Sequence, residues 1–404
     1  MSHASHTTDE APRVRVAVVP DSFKGSARAV EVAGAMAQGA EEAFAGLGMR
    51  ADIDVLPFAD GGEGTLDALL GAWGTDARTV ETTDALGRPV RARYGLSPDG
   101  RTGVIEAAEA NGLPLVDDVP LRPLTATTRG LGPLVTALLD AGVAEILLCI
   151  GGSATTDGGT GLLAALGARL LAQDGSELPD GGGSLTELDR LDLSGLDGRA
   201  RSVRWRIACD VTNPLVGDRG AAAVFGPQKG ASPQDVRVLD AGLARLADVL
   251  AKESGTDVRD VSGAGAAGGL PAPLAALLGA ELVPGSRMVA DVLGAEELLS
   301  RADLVLTGEG SFDTQSMAGK VVDAVRRFTP ADRPVVVIAG KVSVPPRDLA
   351  EAGITAALSI ARGPATLDEL SEDVLPGITW AAFTACRLLA HGPLGSRGSA
   401  DARS

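Results

Sequence analysis

Five short segments of the chain join a carboxylate to glycine, serine or threonine, and each directly follows an apolar run. They are Asp21 and Ser22 in Pro20-Asp-Ser-Phe-Lys-Gly25, and Asp60, Glu63 and Thr65 in Ala59-Asp-Gly-Gly-Glu-Gly-Thr65. Next come Asp157 in Gly151-Gly-Ser-Ala-Thr-Thr-Asp-Gly-Gly159, Asp210 with Asn213 in Cys209-Asp-Val-Thr-Asn213, and Glu309 with Asp313 in Thr307-Gly-Glu-Gly-Ser-Phe-Asp313. A single turn of this kind is ordinary helix-capping chemistry. Five of one design point to a shared role, as hard oxygen ligands for Mg2+ and as groups that orient or deprotonate a hydroxyl.

Lysine adds an independent sign. Of 36 basic residues only five are lysines, and four of these, Lys24, Lys229, Lys320 and Lys341, adjoin a glycine. A compact ammonium beside bare backbone suits a phosphate or carboxylate. Lys252 reads as a helix-surface residue. The loop holding Gly151, Gly152, Ser153, Asp157, Gly158 and Gly159 precedes a predicted helix, the arrangement of a backbone-amide cradle for phosphate.

Several classes are excluded. Histidine occurs only at His3, His6 and His391, so Ser-His-Asp and Cys-His nucleophilic sites and His-ligated zinc have no residues to build on. Cys149, Cys209 and Cys386 form no Cys-x-x-Cys pair, sit in apolar segments, and read as core residues of a reducing compartment. The nearest approach to a Walker A motif, Thr314 to Val321, lacks its first glycine and its hydroxyl, and no protein-kinase motif set is present. A net charge of −17 speaks against nucleic acid. The longest apolar runs are too short to span a bilayer, and no apolar signal core is visible, so a cytoplasmic location is expected. Residues of these types fit phosphoryl transfer from a nucleotide. They also fit a Mg-dependent hydrolase or phosphatase, and a small-acid-binding protein without turnover.

The elements that must position these loops alternate as in a parallel sheet. Strand signals at 13–20 and 51–59 flank a helix over 26–44, and a short helix follows at 65–73. Strands at 78–83, 89–96 and 102–107 lie between turn signals and mark a change to antiparallel texture. A helix near 132–141, a strand at 145–150, a helix near 160–171, a loop over 174–197 and a strand at 203–211 continue this part. Parallel texture returns with strands at 304–307, 334–339 and 355–360 and helices at 319–328 and 367–389. The expected fold class is α/β: a doubly wound domain from residues 13–75 and 295–391, interrupted by a second α/β domain at 76–294. Residues 1–12 and 392–404 are expected to be a disordered leader and tail.

Together these loops resemble the bacterial glycerate kinase family, the type that phosphorylates D-glycerate. The stretches that carry the likeness are Pro20–Ser26, Ala59–Thr65, Ile150–Gly159, Ala208–Gly217, Phe225–Ala231, Gly263–Gly269, Thr307–Gly310 with Asp313, and Gly319-Lys320, in this order over nearly the whole chain. Thr156 and Pro133 depart from the family pattern, which has Asn and Glu there. The resemblance implies a flavodoxin- or Rossmann-like domain with an inserted second domain, ATP and Mg2+ as cosubstrate and ion, and 2-phosphoglycerate as product, with 3-phosphoglycerate as the other option. It implies small-molecule partners, glycerate and ATP, while the sequence leaves monomer and homodimer both open.

Roles follow by chemistry. Lys24, Lys229 and Lys320 are expected to neutralise ATP phosphates and the substrate carboxylate, and Glu309 and Asp313 to hold Mg2+. Asp210 is the expected general base, with Asp60 next and Lys24 and Asp313 completing the catalytic set. Asp21, Ser22, Glu63, Thr65 and Asn213 are expected at the substrate. Gly151, Gly152, Ser153, Asp157, Gly158 and Gly159 are expected at the nucleotide.

Overall fold

A computed structural model describes residues 13–391 except Gln315, Ala318, Gly319 and Ala365. The expected leader and tail, 1–12 and 392–404, lie outside the described residues. In chain order the strands begin with β1 (Arg13–Val18) and β2 (Arg50–Val55). Between them helix Ala29–Ala45 buries Val32, Ala33, Met36, Ala40, Ala43 and Phe44 at three- and four-residue spacing. Then follow β3 (Arg78–Thr83), β4 (Pro89–Leu96), β5 (Thr102–Glu106), β6 (Glu145–Cys149), β7 (Arg169–Leu171), β8 (Arg190–Asp192), β9 (Arg204–Ala208) and β10 (Glu281–Val283). The last are β11 (Leu304–Phe312), β12 (Val335–Val342) and β13 (Ala356–Ser359).

The chain divides into two compact units, one running to Ala59 and resuming at Ala290, the other spanning Asp60–Val289. The first unit holds a five-stranded sheet in the order β13-β12-β11-β1-β2, every pairing parallel. Counted within the unit this is the flavodoxin order 2-1-3-4-5, whose switch point lies between β1 and its third strand, here β11. The sheet is covered on both faces. Val336 and Ile338 of β12 pack with the helices Ala29–Ala45 and Val374–Ala390 on one side. Val337 and Ala339, pointing the other way, pack with Val322 and Ile354.

The second unit contains a six-stranded sheet, β10-β9-β6-β5-β4-β3. Its first four strands are parallel, and β4 and β3 add antiparallel neighbours. Leu131, Leu134, Val135 and Leu138 from helix Leu131–Asp140 pack with Ile105, Ile146, Leu148, Trp205 and Ile207. Pro133 sits in the first turn of that helix, where its missing N–H is no loss.

Four expectations about elements are corrected. The boundary between units falls at Ala59–Asp60 rather than after 75, because helix Thr65–Trp73 packs on β4 and β5. It returns at Val289–Ala290 rather than at 295. The helix expected near 160–171 stops at Ala165, and Gly167, with φ of 102°, turns the chain into β7. Finally, β11 continues through Glu309 to Phe312 and β12 through Lys341 to Val342, paired Ser311 with Lys341. Glu309 therefore lies on a strand and not in a turn. The glycines there allow close approach: a Cβ on Gly308 would stand 2.0 Å from the Ile338 carbonyl oxygen.

Candidate active site

In the second unit the carboxyl ends of four parallel strands form a row. Glu106, Cys149 and Ala208 are register partners on β5, β6 and β9, and Val283 of β10 pairs with Ala208. One segment, Asp60–Leu66, crosses this row. A Cβ on Gly61, whose φ is +86°, would meet Ala208 Cβ and Gly285 Cα, each at 2.6 Å, which places the start of the segment over β9 and β10. Gly62 and Glu63 lie against Gly151, just past β6. At the far end the Leu66 amide donates to Glu106 Oε1 at 2.6 Å, at the tip of β5. The segment is thus a strap across the crevice where ligands bind in sheets of this kind.

Asp60 turns the strap: its Oδ1 accepts from the Gly62 amide at 3.0 Å. Glu63 is exposed at the middle of the strap. Thr65, expected at the substrate, is instead fully buried, and its hydroxyl donates to the Gly62 carbonyl at 2.7 Å. Asp210 is exposed beyond β9, with Oδ1 accepting from the Gly285 amide at 2.9 Å. Asn213, half-buried, uses its side-chain amide to close a turn on the Arg219 carbonyl at 2.8 Å.

The glycine-rich loop after β6 is also different from the cradle expected. Only Gly151 and Gly152 are exposed, and Ser153 through Thr160 are buried. A Cβ on Gly158 would meet Leu246 and Leu243, and one on Gly159 would meet Leu270 and Pro273, so these two glycines serve interior packing. Asp157 is 0% exposed and works inward. Its carboxylate accepts from the Thr128 amide at 2.7 Å, the Thr128 hydroxyl at 2.8 Å and the amides of Gly159 and Gly161 at 3.1 and 3.2 Å. Burial pushes its pKa up, and these donors offset part of the shift. Asp157 is a loop anchor and not a nucleotide contact.

Lys229 is equally inward. It is 2% exposed, and Nζ donates to Ser153 Oγ at 3.0 Å and to the Thr155 carbonyl at 2.6 Å. Burial lowers its pKa to about 7, with the Asp157 charge acting the other way. The expected phosphate contact gives way to an internal clamp on the loop. From the opposite side, Asn111 Nδ2 donates to Thr155 Oγ1 at 3.2 Å, the Ala154 amide to the Asn111 carbonyl at 2.7 Å, and the Leu113 amide to the Gly152 carbonyl at 2.9 Å.

Sequence reading missed Glu106. It is 5% exposed, and burial raises its pKa to about 7; Glu109 and Asp67 add to the rise, while the Leu66 amide and Arg93 oppose it. The available sign was the one used elsewhere, a carboxylate ending the apolar run Gly103-Val-Ile-Glu106. No Gly-rich turn follows it, so it did not match the other loops.

In the first unit the residues gather at the switch point between β1 and β11. Asp21 is buried, its amide donating to the Gly308 carbonyl at 2.8 Å, and its carboxylate accepts from the Ser22 amide at 2.6 Å. Phe23 and Ala27 exchange backbone hydrogen bonds at 2.9 Å, which presents Lys24 to solvent. Gly310, next to Glu309, lies against the Phe23–Lys24 backbone. Asp313 Oδ1 accepts from the Ser316 amide at 3.3 Å, and half-buried Lys320 begins helix Val321–Phe328.

Among the described residues no three Asp, Glu, His or Cys side chains are grouped to hold a metal ion. One or two carboxylates together with nucleotide phosphate oxygens are a donor set that Mg2+ takes. No helix among the described residues is long and apolar enough to cross a membrane.

A flavodoxin-order sheet and a second, mostly parallel sheet, each bearing carboxylate loops at its strand ends, make this an α/β protein of the kind that binds ligands at the carboxyl ends of its strands. The glycerate kinase family model matches residues 16–390, and the chain belongs to that family. It is 46% identical to the glycerate kinase of Bacillus subtilis (strain 168), over 89% of this chain and 93% of that one. It is 43% identical to the glycerate 2-kinase of Escherichia coli (strain K12), over 94% and 99% of the two chains. A crystal structure from Salmonella typhimurium LT2, assigned as glycerate kinase 2, superposes with a TM-score of 0.85 at 41% identity, covering 94% of this chain and 99% of that one. The protein is an enzyme that acts as a kinase. The hydrolase and silent-binder alternatives find no support in these relatives.

Proposed function

We propose that the chain transfers the γ-phosphoryl group of ATP to the 2-hydroxyl of D-glycerate, giving 2-phosphoglycerate and ADP in the cytoplasm. The observation that carries this reading is the Asp60–Leu66 strap over four strand ends, with Asp210 exposed at the same row. The likeness to a relative named glycerate 2-kinase supports the choice of hydroxyl.

In this reading Asp210 takes the hydroxyl proton while the Gly285 amide fixes one of its oxygens, and the alkoxide oxygen bonds to the γ-phosphorus as the bond to ADP breaks. Asp60 stands second as base. Glu63 on the strap is the second unit's polar contact for glycerate; on the first unit, Ser22 and Asp21 are the polar groups at the switch point. Exposed Lys24 and half-buried Lys320 neutralise phosphate and carboxylate charge. Gly151 and Gly152 are the exposed backbone that can approach a phosphate. Mg2+, when bound with ATP, would neutralise phosphate charge, with Glu309 and Asp313 as its protein oxygens.

The test is ADP release measured with and without D-glycerate, followed by identification of the phosphorylated acid. Glycerate-dependent ADP release with 2-phosphoglycerate supports the reading. ADP release unaffected by glycerate, or 3-phosphoglycerate as product, overturns it.

A further inference from the structure

The strap is pinned at both ends, and its two anchors differ in chemistry. At the start the contacts are close backbone packing of Gly61 on Ala208 and Gly285. At the far end the anchor is one buried carboxylate, Glu106, holding the Leu66 amide. Glu106 ends β5 beside Cys149, whose thiol is buried under Thr65, and Thr65 in turn bonds back to the strap at Gly62. A displacement at Leu66 is therefore passed through Thr65 to the turn that carries Glu63.

We propose that Glu106 is a positioning residue for phosphoryl transfer, fixing through the Leu66 amide the strap that carries Asp60 and Glu63. This rests on the reading that those two carboxylates serve the glycerate site. The charged groups facing Glu106 are Asp67 on the strap's own helix, Glu109 on the short helix after β5 and Arg93 on β4; the Cys149 thiol on β6 is its register partner. Arg93 is itself bonded to Glu109 at 2.7 Å and to Asp67 at 2.9 Å, so its charge is engaged by these two carboxylates and offsets Glu106 only through space. Burial with these neighbours brings the Glu106 proton within the working range of pH, and the ionised form is the stronger acceptor for an amide. The strap is held more tightly once Glu106 loses its proton. Sub-ångström placement of reacting groups matters at this level, since a shift of about 1 Å can cost roughly 100-fold in rate.

The experiment compares Glu106→Gln and Glu106→Ala with the parent enzyme, reading KM for each substrate, kcat, the pH profile and amide exchange at residues 60–66. Glu106→Gln keeps an acceptor for Leu66 but cannot ionise. It is expected to retain turnover within about 5-fold at pH 7 and to lose the rise in kcat/KM across the titration of the carboxyl. Glu106→Ala is expected to raise KM for glycerate by about 10-fold or more, and to speed amide exchange in the strap. If Glu106→Ala does not fold, the pH profile of Glu106→Gln decides. The ATP phosphates titrate alike in both enzymes, so only a difference between the profiles counts.

Profiles, KM values and exchange identical to the parent overturn the proposal. So does a loss of about 100-fold or more in kcat for Glu106→Gln at unchanged KM, which means direct participation in the chemistry. Glycerate-dependent ADP release by the parent tests the proposed function separately, because the positioning role is read only from ratios of variant to parent.

Discussion

The ammonium of Lys229 lies 2.6 Å from the carbonyl oxygen of Thr155, inside the glycine-rich loop rather than on its open side. Its folded pKa of about 7 is below the usual 10.5. The unfolded chain therefore keeps a proton that the folded chain sheds between those values, and stability rises with pH through that window. The contribution is complete above about 10.5 and is lost as pH falls through 7. Chemical denaturation of the parent and of Lys229→Met from pH 6 to 10 should show their stability difference changing by up to about 1.4 kcal/mol per pH unit. Parallel curves would refute the assignment.

Asp157 anchors the same loop with four donors. Asp157→Ala strands the amides of Thr128, Gly159 and Gly161 in the interior and removes the negative charge nearest Lys229. A loss of about 3 kcal/mol or more is expected, read as a lowered denaturation midpoint.

Thr156 is fully buried, and its Oγ1 finds no hydrogen-bond partner among the described residues. Thr156→Val keeps the shape and removes the stranded hydroxyl, and is expected to stabilise the fold by about 1 kcal/mol in the same denaturation assay.

Asp210→Asn preserves an oxygen for the Gly285 amide, so the turn after β9 should persist. Loss of the base should lower kcat by about 100-fold or more with an unchanged thermal midpoint. Near-normal turnover would move the role of base to Asp60.

Much of the fold could be read from the sequence because hydrophobic periodicity reports burial directly. The unbroken apolar runs of β6 and β12 mark strands covered on both faces, and the helix expected at 65–73 has those bounds in the structure. The continuation of β11 through Glu309 to Phe312 could not be read. Gly308 and Gly340 look like turn residues, yet their missing side chains permit the close approach of β11 and β12. At the site, residue type identified the loops but not the direction in which each side chain points. Asp210 and Glu63 face solvent, while Asp157, Thr65 and Lys229, equally polar, are turned inward to hold backbone. Local spacing cannot distinguish these cases, because inward orientation depends on partners such as Thr128 and Ser153 that are remote in sequence. Glu106 escaped notice for the same reason: its partner, Leu66, lies on another element.

The order of strands in the first sheet has a consequence during protein synthesis. β1 is central, yet its neighbour β11 is encoded only after the whole of Asp60–Val289. At about 5–20 residues per second, ribosomes need roughly 12–46 s to make the intervening stretch. Throughout that interval β1 has only β2 beside it, and a two-stranded pair is marginal alone. The inserted unit can be finished while Val14, Val16 and Val18 have only helix Ala29–Ala45 beside them, and their remaining cover, from β11, β12 and helix Val374–Ala390, comes with the last part of the chain.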